Sequence, residues 1–417
     1  MIPSNIICVS QEGPANALAL NKDATQVVIA GRNVFKVFAI GDNDFSEVCN
    51  LRVGKNLNLN FSSIDVAWSA IEENTLATAA TNGAVVVWNL SRSGRSKQEH
   101  VFSDHKRTVN KVSFHLTEPS LLISGSQDGM MKCFDLRIKE VARTFISNTE
   151  SIRDVQFSPH QAHTFAAVSE NGSVQLWDVR RHERCIQQFT AHSGPVFACD
   201  WHPDVPWLAT ASRDKTIKVW DINTRALEHT IHTIASVGHV KWRPQKKYVS
   251  SCALVLDCAV HVWDVRRPHL PLASFSPHRD VTTALGWTAP DALLACSRVH
   301  TRDIYTTHTY TCRWRRSRRT ATSPRNELCS YIEESLQEHW LLGYVELLQR
   351  HKLWNVATEV PALLLRSLYV CCMCQVVVGL FAWCQGCSHG GHLLHMQAWL
   401  QQHQLCPAGC GHRCQLG

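Results

Sequence analysis

The residues best suited to chemistry crowd the end of this 417-residue chain. Between Cys371 and Cys414, eight cysteines and five histidines fall within 44 residues. Their order is Cys371-x2-Cys374-x9-Cys384-x2-Cys387-x-His389-x2-His392-x2-His395-x10-Cys406-x3-Cys410-x-His412-x-Cys414. Thiolate and imidazole are the donors zinc prefers, and a two-residue spacing lets one turn aim both side chains at one ion. A cross-braced RING-type module uses eight such ligands in two interleaved sets. Cys371, Cys374, His392 and His395 fit one Zn2+. Cys387, His389, Cys406 and Cys410 fit the other. Cys384, His412 and Cys414 are left over, available to a further zinc. Closed four-ligand sites leave no position for a reactive water, so the zinc expected here is structural rather than hydrolytic. Cys372 reads as a packed or free thiol, and His403 as a surface residue of the helix carrying Trp399.

A RING surface that receives a ubiquitin-conjugating enzyme presents an apolar residue before the second ligand, an aromatic on its helix and a proline after the seventh ligand. Met373, Trp399 and Pro407 occupy those places. Gly411 stands where a basic residue often follows the eighth ligand. No side chain is expected to act as a catalytic acid, base or nucleophile. The alternative is a module that only assembles a complex.

The body that carries this tail is repetitive. An aromatic followed by Asp or Asn ends a run at Trp88-Asn89, Phe134-Asp135, Trp177-Asp178, Trp220-Asp221 and Trp263-Asp264, every 43 to 46 residues. That is the period of one four-stranded propeller blade. Residues 192–224 show the internal order best. Short runs alternate apolar and polar residues, and Gly, Pro, Asn or Asp punctuates the gaps. Asn82-Gly83, Asp128-Gly129 and Asn171-Gly172 sit where a tight hairpin requires positive φ. These units resemble the WD repeat. That resemblance implies that His192, Ser212, Asp214 and Trp220 form a buried hydrogen-bonded set that is structural.

Five blades are plain. An earlier one runs through Ala15–Leu20, Gln26–Ala30 and Val34–Phe38. A seventh starts at His278 and reaches Ser297, but His300–Tyr310 replaces its expected closing turn and strand, so either another strand closes the ring or the last blade is imperfect. The expected fold is therefore an all-β seven-bladed WD40 propeller with a degraded last blade over 1–300. A basic linker or junction follows at 301–325, an α-helical segment at 326–366 and a RING-like zinc-binding domain at 367–417. The helical reading rests on Leu328, Ile332, Leu336, Leu341, Val345 and Leu348 at three-to-five spacing.

Composition narrows the classes. An apolar fraction of 45% with 18% charged residues describes a folded chain. The formal charge of +7 is scattered except at Arg313–Arg319, which reads as a solvated linker. Aromatics there are limited to Trp314, so no nucleic-acid partner is expected. Met1–Gly13 lacks a basic region followed by an apolar core, so no secretory signal is read, and the 18 cysteines are expected to be reduced or zinc-bound. Leu368–Trp383 is short for a bilayer and is interrupted by Gln375, so no transmembrane span is expected.

The WD repeats and the stretch Gly379-Leu380-Phe381-Ala382-Trp383-Cys384-Gln385-Gly386-Cys387-Ser388-His389-Gly390-Gly391-His392 together resemble the WD-repeat, RING-tailed subunit family of the second GATOR complex. Thr108–Val112 and Asp280–Thr283 agree with it. The likeness extends over 1–297 and 336–417. It implies a subunit that activates TOR kinase signalling in response to amino acids and regulates autophagy, at the cytoplasmic surface of the lysosomal membrane. It also implies other WD-repeat subunits as partners, a nucleoporin-like small propeller among them, and a ubiquitin-ligase activity in the tail. The family has a long linker, a helical solenoid and further zinc-spaced cysteines before the match to Cys371. This chain has none of these, which a shortened isoform, a divergent copy or a faulty gene model would each explain.

Overall fold

The computed structural model describes residues 5–297, apart from the short segments 42–43, 53–61, 93–96, 246, 276–277, 279 and 290–291, together with the strand at 306–313. The expected helical segment, 326–366, and the expected zinc module, 367–417, lie outside the described residues. Among the described residues every regular element is a β-strand.

Six sheets each use four strands consecutive in sequence. After β1 (Asn5–Glu12), blade one is β2 (Ala15–Leu20), β3 (Gln26–Gly31), β4 (Phe35–Ile40) and β5 (Phe45–Asn50). Blade two is β6 (Ser63–Trp68), β7 (Thr75–Ala80), β8 (Val85–Asn89) and β9 (Gln98–Phe102). Blade three is β10 (Val109–Phe114), β11 (Leu121–Ser126), β12 (Met130–Asp135) and β13 (Glu140–Ile146). Blade four is β14 (Ile152–Phe157), β15 (Thr164–Ser169), β16 (Ser173–Asp178) and β17 (Gln187–Thr190). Blade five is β18 (Val196–Trp201), β19 (Trp207–Ser212), β20 (Thr216–Asp221) and β21 (Ala226–His232). Blade six is β22 (Val237–Trp242), β23 (Tyr248–Ala253), β24 (Val260–Asp264) and β25 (Pro271–Phe275).

The second strand of a blade lies between two neighbouring sheets, so it is apolar on both faces. β7, β15 and β19 are buried along their whole length. Fourth strands meet solvent, and β5 is exposed at Ser46, Glu47 and Val48. Between blades the cores are continuous. Phe35 packs edge-on against Trp88 from blade two at 4.9 Å, and Phe145 of blade three lies 5.6 Å from Trp177 of blade four.

A further sheet has the order β1-β28-β27-β26, with β26 (Thr282–Ala289), β27 (Ala292–Ser297) and β28 (Thr306–Arg313). The expectation that His300–Tyr310 leaves this sheet without its closing strand is corrected here. β28 pairs with β27 from Ala292↔Arg313 to Cys296↔Thr309. Its other edge pairs with β1 from Asn5↔Arg313 to Glu12↔Thr306. Thr-rich sequence suits a strand as well as a loop. The missing Trp-Asp ending concealed it. The sheet packs against both neighbours. Leu285, Leu293 and Ala295 join the core of blade six, while Ala284, Leu294 and Cys296 join that of blade one. Thr283 Oγ1 donates to the Ala15 carbonyl at 2.8 Å, and Trp287 Nε1 donates to Ser250 Oγ at 3.1 Å.

Candidate functional site

The described residues carry two kinds of polar construction, and both begin in a local feature of the blade. The first is the turn between second and third strands. Gly83, Gly129 and Gly172 hold φ of 88°, 77° and 87°, as the Asn-Gly and Asp-Gly pairs predict. A Cβ on Gly172 would fall on the His192 carbonyl oxygen, so the turn lies directly against the loop entering the next blade.

That proximity builds the buried histidine sets. His192 Nδ1 lies 2.9 Å from Asp214 Oδ2, and its Nε2 lies 2.8 Å from Thr210 Oγ1. A carboxylate only accepts, so Nδ1 carries the proton and Nε2 receives the threonine hydroxyl. Trp220 Nε1 donates to the same Thr210 oxygen at 3.1 Å. The expected set of His192, Ser212, Asp214 and Trp220 is thereby corrected at one member. Thr210 bridges His and Trp. Ser212, two residues on, instead donates to the Pro195 carbonyl and accepts from the Asp214 N–H. Blade three repeats the pattern with His105, Asp128 and Ser124, and its closing aromatic is Phe134, which has no N–H to contribute. In blade six Asp257 takes its histidine from a different element, with His261 Nε2 2.8 Å away on β24. The three histidines are buried and the groups that meet them are hydrogen-bonded and buried or half-buried, which is what a scaffold requires of them.

Burial alone would raise the Asp128 carboxyl. The His105 hydrogen bond and charge, with two backbone N–H donors, outweigh it and bring the group down to about 2. In Asp214 the same opposition, with Thr216 added, leaves the carboxyl well below its usual range.

The second construction follows from a bulge at the start of every inner strand, at Ala15/Ala17, Ser63/Asp65, Val109/Lys111, Ile152/Asp154, Val196/Ala198, Val237/His239 and Thr282/Ala284. A bulge re-aims the side chain that follows it. Here it turns Asp65 and Asp154 toward the next blade. Asp65 accepts the Val112 N–H at 3.1 Å and Lys111 Nζ at 3.0 Å. Asp154 accepts the Cys199 N–H at 2.9 Å. Asp200, two positions further along its strand, takes the Trp242 N–H at 2.8 Å and Lys241 Nζ at 2.6 Å. Carboxylates thus tie blade two to three, four to five and five to six. Burial pushes Asp154 up to about 6 despite Lys111, and burial with Lys111 and Lys241 brings the His239 imidazole down to about 3.

Neither construction offers reactive chemistry. Cys133 and Cys296 are buried, and desolvation pushes both thiols up to about 12, far from a thiolate nucleophile. Among the described residues no cluster of His, Cys, Asp or Glu is placed to hold a metal. The sequence-derived ligands Cys371, Cys374, His392, His395, Cys387, His389, Cys406 and Cys410 all lie outside the described residues. So do Cys384, His412 and Cys414, and the surface residues Met373, Trp399 and Pro407. What the described residues present is a succession of seven four-stranded sheets.

These blades define a WD-repeat β-propeller protein. The WD domain, G-beta repeat family matches residues 96–135, 139–178 and 183–221. A chain from the "Crystal Structure of Mitotic Checkpoint Complex" shares the fold at a TM-score of 0.61 and 19% identity, over 75% of this chain and 92% of that one. Nearer relatives carry a more particular name. The GATOR2 complex protein WDR24 of Danio rerio is 58% identical over 280 residues, covering 66% of this chain and 36% of that protein. The Homo sapiens protein of that name is 57% identical over 283 residues, or 67% and 36%. In Drosophila melanogaster the figures are 58% over 296 residues, or 70% and 38%. The chain belongs to the WDR24 family through this match, and spans little more than a third of the length of these curated relatives.

Proposed function

We propose that the chain is a subunit of a GATOR2-type complex, in which the propeller is a docking platform and the C-terminal tail a zinc-stabilised RING. The observation that carries this reading is the 57–58% identity to proteins named as GATOR2 complex components. In such a complex the subunit would promote TOR kinase signalling in response to amino acids and restrain or release autophagy accordingly, at the cytoplasmic surface of the lysosome. Its partners would be other WD-repeat subunits, including a nucleoporin-like small propeller. Co-purification from cells through a tag on the full chain tests it. Recovery together with other WD-repeat subunits is expected, and recovery without any of them overturns the assignment.

The tail extends the proposal. Its thiolate and imidazole donors match the chemistry of structural zinc, which would fold the segment when bound. Met373, Trp399 and Pro407 would then contact a ubiquitin-conjugating enzyme. Transfer would rest on proximity and orientation rather than on any side-chain acid or base. An in-vitro ubiquitination assay comparing wild type with Trp399→Ala and Cys406→Ala reads this out. Absence of activity from a folded, zinc-loaded wild type across a broad panel of conjugating enzymes would leave the tail an assembly module only.

A further inference from the structure

Blade six departs from its neighbours at the turn between its second and third strands. Blades two to four turn on Asn-Gly or Asp-Gly, and blade five on Arg213-Asp214-Lys215. Blade six instead carries Leu254-Val255-Leu256 ahead of Asp257. These three apolar side chains are 39%, 49% and 85% exposed. Leu256 sits at φ +73°, a conformation that costs a bulky residue free energy. At 85% exposure it recovers little of that by burial within this chain.

The base of the turn is fixed. The Leu254 N–H donates to the Ser236 carbonyl at 2.7 Å. Asp257 Oδ1 accepts the Ala259 N–H at 2.8 Å, while Oδ2 pairs with His261 at 2.8 Å. Gly238 lies against it so closely that a Cβ there would reach 3.3 Å from Leu254 Cα. An anchored apolar tip loses little conformational entropy when it docks. Its surroundings differ in charge from one side to the other, with cations on the blade-five side and Asp257 and Asp280 on the opposite side. Ser236 Oγ donates to the Arg213 carbonyl at 2.9 Å, so the turn of blade five stands beside it with Arg213 exposed and Lys215 half-buried. Asp214 in that turn directs its carboxylate to His192 and Thr216, leaving Arg213 and Lys215 as the cations on that side. On the side of the sheet that holds β26, Asp280 accepts the Val281 N–H at 2.7 Å and keeps its negative charge near the turn.

We propose that Leu254, Val255 and Leu256 form a docking knob for another subunit of the assembly, one that offers an apolar pocket with carboxylates on the lip facing Arg213 and Lys215. The proposal rests on the assembly reading above for the existence of that partner. Two measurements on the full chain test it. Hydroxyl-radical footprinting compares labelling of Leu256 in the isolated chain and in the purified assembly. Labelling about tenfold lower in the assembly is expected for a side chain seated in a pocket. Leu256→Gly removes the apolar contact and also relieves the left-handed strain. It is expected to keep or raise the melting temperature while weakening association with one subunit by about tenfold, the scale of an interface hot spot. Arg213→Glu is expected to weaken the same subunit, and Gln127→Glu on the turn of blade three to leave it in place. Undiminished labelling of Leu256 in an intact assembly, or wild-type association by Leu256→Gly, overturns the knob and leaves the complex standing. A concentration-dependent dimer abolished by Leu256→Gly would make the occupant a second copy and overturn it too. Recovery of the chain with no subunits overturns the knob together with the complex.

Discussion

Asp128 and Asp214 each hold the proton-bearing nitrogen of a buried histidine, at 3.0 and 2.9 Å. Asp154 faces the Cys199 N–H, with Lys111, Lys241 and Asp65 as its nearest charges. The two situations predict opposite pH responses. Asp128 and Asp214 are depressed below the ordinary 3.8, so the stability they supply is complete above that value and lost as pH falls through their folded pKa. Asp154 is raised to about 6, so its ionisation opposes folding, and stability declines as pH climbs from about 4 to 6. Asp154→Asn keeps the acceptor and removes the titration. Thermal melts across that window are expected to show the variant gaining on wild type by up to about 3 kcal/mol, following ~1.4 kcal/mol per pKa unit. A constant difference between the two would show that Asp154 is not the titrating group. Asp214→Ala strands the His192 N–H and is expected to cost about 2 kcal/mol at neutral pH, read from denaturant midpoints. At this scale the sequence disclosed the residue types but not every contact. His192, Asp214 and Trp220 follow from the resemblance to the WD repeat. Thr210 was concealed because Ser212 carries the same hydroxyl on the same strand, and only the geometry decides which oxygen meets the imidazole.

The strand pattern was legible wherever a blade closes on an aromatic and an acid or amide, because alternation and turn chemistry agree there. It failed at the last sheet, where β28 carries Thr306-Thr307-His308-Thr309-Tyr310 and no Trp-Asp ending. The partner that completes the sheet, β1, lies at the opposite end of the sequence, and local periodicity carries no trace of such a pairing. The inner-strand bulges were invisible for a related reason. Nothing in Ile152-Arg153-Asp154 shows that an unpaired residue turns Asp154 toward the next blade, yet the same irregularity recurs at the start of every inner strand. The terminal strand makes a prediction at this scale. Removing residues 1–12 strips β28 of its β1 partner and exposes an unpaired edge. The truncated chain is expected to melt earlier and to aggregate, with amide exchange accelerating first in β27 and β28. Unchanged exchange in those strands would mean that the sheet holds without β1.

Across the whole molecule, the proposed zinc module and the propeller would draw their stability from different sources, and that separates them experimentally. Apolar packing and satisfied polar sets hold the propeller, and the described residues contain no metal cluster. The tail is a short segment rich in thiol and imidazole side chains, and in the proposed reading a zinc ion would supply what so small a core lacks. Chelation is therefore expected to unfold the tail and leave the propeller's melting transition in place. Mass spectrometry under native conditions should count two zinc ions per chain, since eight donors fill two closed tetrahedral sets. Cys406→Ala should lower that count and abolish any ubiquitin transfer, while the propeller's transition and its docking to other subunits persist. Trp399→Ala should keep both zinc ions and lose only transfer, because in the proposed RING Trp399 would contact the conjugating enzyme without ligating metal. A third zinc would bring Cys384, His412 and Cys414 into service as ligands. A count near zero in a chain whose propeller is intact would remove the RING from the account and leave the WD-repeat ring as the part of this protein that acts.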